Sequence, residues 1–431
     1  MITTEQPLNV AAARRHFRSL RREVDGQPLV YFDGPGGTQA ADACIDAMSA
    51  YLGTSNANTH GPFATSLETE AILDEAHAAA ADFLGAADPA EICFGLNMTT
   101  LTFAASRAIG RTLRPGDEIV VTRLDHDANV APWLALQEER GAVIRWVEIR
   151  AEDCTLDLDG LGHVLGPRTR LVAVGLASNA VGTINPVSQI AEMVHSVGAR
   201  LWVDAVHAAP HLPIDVAALG ADYLVCSAYK FFGPHMGLLW GRRELLEELP
   251  AYKVRPAGDE LPSRFETGTQ SHEAAAGLVG AFRYLAWLGR TDGAVLDEPG
   301  DPLPGEGSNR RVRLRQAMER IRAYELSLLP RLIEGLQQVP GLNLRGIVNP
   351  ARLAERCPTL AFTLAGHTPE AVATFLGSRG IATWHGDYYA WELIRTLGLA
   401  DSGGMVRVGL VHYNTADEID RLIAELHSLT G

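Results

Sequence analysis

The chain has 431 residues, 47% of them hydrophobic and 21% charged, enough apolar material for a large core spread over two or three domains. Its 52 Asp+Glu against 37 Lys+Arg leave a net charge of −15, which argues against nucleic acid or an anionic membrane surface as a partner. No apolar run reaches the roughly 20 residues that span a bilayer. The polar opening MITTEQPLNVAAARRHFRSLRREVDG holds no signal-peptide core, so a cytoplasmic protein is expected. The five cysteines are scattered, odd in number and without a CxxC pair, which predicts neither structural zinc nor a disulfide framework. Nearly all the basic residues are arginine. Lys230 and Lys253 are the only lysines, so chemistry that needs an amine nucleophile has two candidates.

From about residue 29 to 240, short apolar runs alternate with helical patterns. Strands are expected at 91–95, 118–122, 143–149, 170–178, 200–205, 222–227 and 237–241. TTLTFAASRAIGRTL, NVAPWLALQEERG and SQIAEMVHSVG between them carry apolar residues at three- and four-residue spacing. This alternation predicts an α/β fold, a mostly parallel sheet of seven strands covered on both faces. GLLWG follows its neighbour too closely for a helical crossover and is expected antiparallel. Residues 291–308 turn acidic and rich in Gly and Pro, as a loop or linker would be. A long helical pattern and a small α+β region follow. The expected division is a large domain over 26–290 and a small domain formed by 1–25 and 309–431.

Lys230, in LVCSAYKFFGPHMG, stands just past an apolar strand, where ligands collect in open α/β sheets. Desolvation there would lower its pKa and make it a Schiff-base nucleophile; a surface lysine on a turn is the plain alternative. Asp204 ends the apolar strand RLWVDA. It is either a helix cap or the partner of a cation in a dry site, and a pyridinium nitrogen is such a cation. His207, three residues on, is placed to meet a ring oxygen or to serve as a structural histidine. In FGLNMTTLTF the amides of Met98 and Thr99 and the Thr99 hydroxyl begin a helix and offer an anion cradle, or an ordinary cap. Ser227, Tyr229 and Thr269 add hydroxyl donors. His126 follows a strand and is fit to stack on an aromatic cofactor, Asn179 to bond its ring oxygen. Arg407 in MVRVGLVHYN is fit to grip a carboxylate in bidentate fashion, unless it faces solvent.

The blocks REVDGQPLVYFD, LDHDANVAPW, SNAVGTINPV, VDAVHAAPHLPIDV, SAYKFFGP, RFETGTQ and VRVGLVHYNTADEID resemble, in order and spacing, the class V aminotransferase family, especially its SUF-type cysteine desulfurases. The resemblance runs from about residue 20 onward. It implies the aspartate-aminotransferase-like fold type I with pyridoxal 5′-phosphate, and a homodimer with the active site at the interface. It makes Lys230 the Schiff-base lysine, Asp204 the pyridinium partner and His126 the stacking histidine. Thr99, Ser227 and, from the neighbouring subunit, Thr269 fall at phosphate contacts. Asn179 and His207 fall at the ring oxygen, Tyr229 beside the lysine, and Arg407 at the substrate carboxylate.

The chain departs from the family pattern at His207, where desulfurases have glutamine, at Tyr229, where they have histidine, and in the small domain. GIATWHGDYYAWEL places Tyr389 where desulfurases carry the sulfur-accepting cysteine, and Trp384 where they carry a second arginine. Tyrosine cannot form a persulfide. Trp384, Tyr388 and Tyr389 instead suggest aromatic walls around the substrate. Cys226 should point away from Ser227, Cys93 and Cys44 should be packing residues, and Cys154 should lie in an acidic loop. Only Cys357 is left as a thiol within reach of a loop that approaches the cofactor. The expected activity is on an amino acid through an external aldimine, by C–S or other β/γ-elimination or desulfurase-like chemistry without a persulfide cysteine. Aminotransfer and racemisation are the alternatives, and a non-catalytic cofactor-binding protein is a third class.

Overall fold

The computed structural model describes residues 8–290 and 308–430. Seven strands form the large sheet: β1 Ile92–Gly95, β2 Glu118–Thr122, β3 Val143–Val147, β4 Thr169–Gly175, β5 Arg200–Asp204, β6 Tyr223–Ser227 and β7 Gly237–Gly241, in the order β1-β7-β6-β5-β4-β2-β3. β7 is antiparallel to both neighbours and the other pairs are parallel, as the short β6–β7 connection requires. The central strands are buried on both faces, and successive residues enter different cores. Val120, Val172, Leu201, Val203 and Cys226 face one core; Ile119, Val121, Leu171, Trp202 and Val225 face the other. That two-sided burial is why these segments read as apolar runs rather than as alternations.

The longer helices among the described residues are, in chain order, α1 Asp42–Thr54, α2 Ala64–Leu84, α3 Met98–Gly110, α4 Ala131–Arg140, α5 Val187–Ser196, α6 His272–Leu288, α7 Ser308–Gln338, α8 Pro369–Gly377 and α9 Ala416–Thr430. α3 begins at a reciprocal cap between Asn97 and Thr100, and Gly141 ends α4 in the left-handed conformation at φ 68°. α2 and α6 lie outside the sequence reading. Both are alanine-rich and extensively buried, so they lack the polar-apolar contrast that marks a surface helix.

A four-stranded antiparallel sheet, β8 Leu342–Arg345, β9 Thr359–Leu364, β10 Trp384–Gly386 and β11 Met405–Gly409 in the order β8-β9-β11-β10, forms the second body with α8 and α9. Packing crosses both expected domain boundaries. Val30–Tyr31 pairs with Ile381–Ala382, and Val30 and Phe32 lie in the small-domain core. α7 buries Leu314, Met318 and Ile321 in the large core and Leu329, Leu332 and Leu336 in the small one. The strand expected over 143–149 breaks after Val147, and Ile149–Arg150 forms a separate hairpin with Thr155–Leu156. The strand expected over 170–178 ends at Gly175, which frees 176–184 as a loop. The expected linker 291–308 lies outside the described residues except for Ser308, which opens α7. Residues 1–7 of the expected small domain lie outside them too. Among the described residues, no helix is long and apolar enough to cross a membrane.

α6 lies close against α1. A Cβ at Gly280 would stand 2.2 Å from the Ala43 carbonyl oxygen and 2.8 Å from the Cys44 Cα. Gly280→Ala is therefore expected to destabilise the protein by about 1–3 kcal/mol. Gly53, in α1, meets nothing within 4 Å, so Gly53→Ala should be neutral or stabilise by about 0.5–1 kcal/mol. Urea midpoints of the two variants check this; a Gly280→Ala midpoint at the wild-type value would refute the contact.

Candidate active site

The carboxyl ends of β2, β4, β5 and β6, with the start of α3, surround a cavity of about 830 Å³. Lys230 follows β6 on a short 3-10 turn and is buried. Its Nζ donates to the Gly36 carbonyl at 3.1 Å and to the Pro35 carbonyl, and it lies 5.1 Å from the Tyr229 ring centre. Burial, with the Arg407 charge adding to it, pushes its pKa down to about 7. An appreciable share of the amine is thus free at neutral pH. Lys253 instead meets the exposed Asp259 at 3.4 Å, away from the cavity.

Asp204 reaches the same cavity from the end of β5, fully desolvated, and burial raises its carboxyl to about 6. It still ionises at neutral pH, helped by the Val206 amide at 2.8 Å. Sequence reasoning missed a second carboxyl beside it. Asp125 accepts from the Gly175 amide at 2.6 Å, and burial together with the Asp204 charge raises it to about 8. It lies in the LDHDANVAPW block, but only the fold brings β2 and β5 to a common edge. His126 accepts from the Ala128 amide at Nδ1, 3.0 Å away. Burial, then the charges of Lys230 and Arg407, lowers it to about 4, so it is neutral with the remaining proton on Nε2. Burial, then the charges of His211, Lys230 and Arg407, drives His207 well below its usual range.

The α3 amide cradle is partly engaged. The Met98 amide donates to Ser227 Oγ at 3.0 Å and the Thr100 amide to Asn97, while exposed Thr99 lines the cavity between them. Gly237 makes this approach possible, since a Cβ there would sit 2.4 Å from the Asn97 carbonyl carbon. His235, also unforeseen, stacks on Tyr229 at 5.0 Å between ring centres and lines the cavity.

The small domain closes the other side. The Asn179 side chain donates to the Tyr388 carbonyl at 2.9 Å, and the Asp127 amide donates to the Tyr389 carbonyl at 2.7 Å. Tyr388 and Tyr389 both hold positive φ, 55° and 59°, and the Tyr389 ring stacks over His126 at 5.3 Å. Arg407 is buried rather than solvent-facing. It donates to the Asn179 carbonyl at 3.0 Å, approaches Asp33 at 3.4 Å and lies over the Tyr388 ring at 4.6 Å. Asp33 is another residue the sequence reading passed over. Arg407, Trp384 and Thr269 do not line the cavity of a single chain. Trp384 is 54% exposed on the edge strand β10, paired in register with Arg407. Thr269 is exposed on the loop before α6.

All five cysteines are buried, and none lines the cavity. Cys154, expected in an acidic loop, is wholly buried, and desolvation raises its thiol to about 11. Cys357 is wholly buried as well, with its thiol at about 12 for the same reason.

The class-V aminotransferase family model matches residues 30–293 and 312–422. The chain belongs to this family. A probable cysteine desulfurase of Mycolicibacterium paratuberculosis is 36% identical over 428 residues, covering 96% of this chain and 57% of the relative. The chain thus spans little more than half the length of that relative. A probable cysteine desulfurase of Synechocystis sp. is 32% identical and covers 99% of this chain and 97% of its own. The structure of a cysteine desulfurase from Thermococcus onnurineus NA1 superposes with a TM-score of 0.84 at 25% identity, over 99% of both chains. Members of the family are fold-type-I enzymes that use pyridoxal 5′-phosphate. The cavity fits that group. It joins a buried amine, an ionised carboxylate and a helix start, and two buried polar atoms at its wall, Asn179 Oδ1 and His207 Nε2, have no protein partner.

With only two lysines to choose from, the visible absorption of the lysine-bound cofactor should vanish in Lys230→Ala and persist in Lys253→Ala. Spectra of the two purified variants decide it, and an unchanged band in Lys230→Ala would exclude Lys230.

Proposed function

We propose that this chain is a pyridoxal-phosphate-dependent enzyme acting on an amino acid by lyase-type or desulfurase-like elimination, without an enzyme persulfide. The observation that carries the reading is the convergence of Lys230, Asp204 and His126 on one cavity that no thiol reaches. When bound, the cofactor supplies an electron sink for bonds at the substrate α-carbon. Lys230 would hold the cofactor and would take and return the proton at that carbon, a role its depressed pKa suits. Asp204 would supply a negative charge to the ring nitrogen, and neutral His126 and His207 would serve the ring and its oxygen. Ser227, Tyr229, Met98 and Thr99 gather at the phosphate end. Arg407 is placed to take the substrate carboxylate in exchange for part of its contact with Asp33. Tyr389 over His126 gives the substrate side chain an aromatic wall in place of a nucleophile.

The test is to offer the holoenzyme a panel of amino acids, cysteine among them, while following the cofactor absorption and the protein mass. A substrate should perturb the absorption, and cysteine should leave no persulfide on the enzyme, because burial holds the Cys154 and Cys357 thiols protonated. A stoichiometric persulfide on wild type would overturn the reading, and its loss in Cys357→Ser would locate it. A panel in which no amino acid perturbs the absorption would remove the amino-acid substrate altogether.

We further propose a homodimer in which Thr269, remote from its own cavity, reaches the phosphate of the partner's site. Cofactor retention should then fall when the protein is diluted to the monomer, and fall further in Thr269→Ala. Equal retention by monomer and dimer, measured by sedimentation with absorbance detection, would refute the shared site.

A further inference from the structure

The turn that carries Asn179 is tied to the small domain as firmly as to its own sheet. Thr183 bridges to Arg356, the Cys357 amide donates to the Gly182 carbonyl at 2.8 Å, and the Ile184 amide donates to the Glu355 carbonyl at 2.9 Å. Gly182 holds φ +79°, and a Cβ there would stand 2.6 Å from the Thr359 carbonyl oxygen and 2.7 Å from that of Cys357. The two segments are in backbone contact.

Arg356 sits at the centre of this contact, a wholly buried guanidinium. Its Nη2 donates to the carbonyls of Val181, at 3.0 Å, and Thr359, its Nη1 to that of Ile347, and its Nε to that of Cys357 at 3.3 Å. Among the described residues, no carboxylate lies within ion-pair distance of it. Burial lowers its pKa to about 10, so it is cationic at neutral pH. A buried charge without a counter-ion is costly, and an apolar side chain of similar volume would spare that cost. What an apolar residue cannot do is hold carbonyls from two bodies at once. Arg356 does this, with Val181 on the turn and Ile347, Cys357 and Thr359 on the small domain.

We propose that Arg356 is a positioning residue for the cofactor: by fixing Val181 and Gly182 to the small domain, it holds the Asn179 amide in place for the cofactor's ring oxygen. The inference rests on the reading of Asn179 given above. One Asn179 amide hydrogen goes to the Tyr388 carbonyl, which leaves the other for the ring. A donor at an anionic oxygen stabilises the anion and lowers its proton affinity. Loss or displacement of that donor should therefore raise the pH at which the visible absorption of the bound cofactor titrates.

The experiment is a pH titration of that absorption in holoenzyme, with thermal unfolding recorded alongside, for wild type, Asn179→Ala and Arg356→Met. Asn179→Ala should raise the midpoint by roughly one pH unit, the worth of a single hydrogen bond. Arg356→Met should move it the same way by roughly half a unit or more. An Arg356→Met protein with a lowered unfolding temperature but a wild-type midpoint would show a merely structural arginine and overturn the proposal. An unmoved midpoint in Asn179→Ala would overturn the Asn179 assignment itself, and the role of Arg356 with it. Should Arg356→Met not accumulate as folded holoenzyme, Gly182→Ala displaces the same turn from the Thr359 and Cys357 carbonyls. It should raise the midpoint too, and an unchanged value there would overturn the proposal.

Discussion

Charge held out of water at the carboxyl edge of a parallel sheet is the constraint on which the rest of the structure depends. Lys230, Arg407, Asp204 and Asp125 are all buried within one region. Such groups persist there only when each finds a partner or shifts its pKa. Lys230 and Asp125 shift furthest toward their neutral forms. Arg407 divides its donors between the Asn179 carbonyl and Asp33. A site in which amine and carboxyl both titrate near neutrality is suited to moving protons, and strand order together with the buried Arg407 supplies it.

The small domain does more than cover this edge. Its contribution comes through main-chain groups: the Tyr388 carbonyl to Asn179, the Tyr389 carbonyl to the Asp127 amide, and the carbonyls gathered by Arg356. Two successive non-glycine residues in the left-handed region cost about 1–2 kcal/mol each. At Tyr388 and Tyr389 that strain is held by contacts on both sides, including the Tyr389 amide to Asp387 at 2.9 Å. The turn therefore presents an aromatic ring over His126 from a backbone fixed to the large domain.

The long helix α7 explains why the two bodies resist division at one point in the chain. Its first half completes the large core and its second half the small one, with Pro330 inside the helix near the crossing. A periodic pattern of apolar residues announces such a helix, but not which body receives which face.

By itself the sequence determined the strand-helix alternation, the antiparallel return of GLLWG and the chemistry of the strand ends, because buried parallel strands must be apolar throughout and ligand groups must follow them. Family blocks named several of the residues that line the cavity, Lys230, Asp204 and His126 among them. Only the tertiary structure decided what those residues do to one another. Asp33 and Asp125 are ordinary letters in the chain; they matter because β2 and β5 end at the same edge on either side of β4 and the 30–33 segment crosses to β11. Cys154 sits in an acidic stretch and Arg407 is itself a charge, yet both are buried, since burial depends on what packs from distant segments. The shifted pKa values of Lys230, Asp204 and His126 have the same origin. Desolvation and the charges within a few ångströms are properties of the assembled cavity, and residues far apart in sequence supply them.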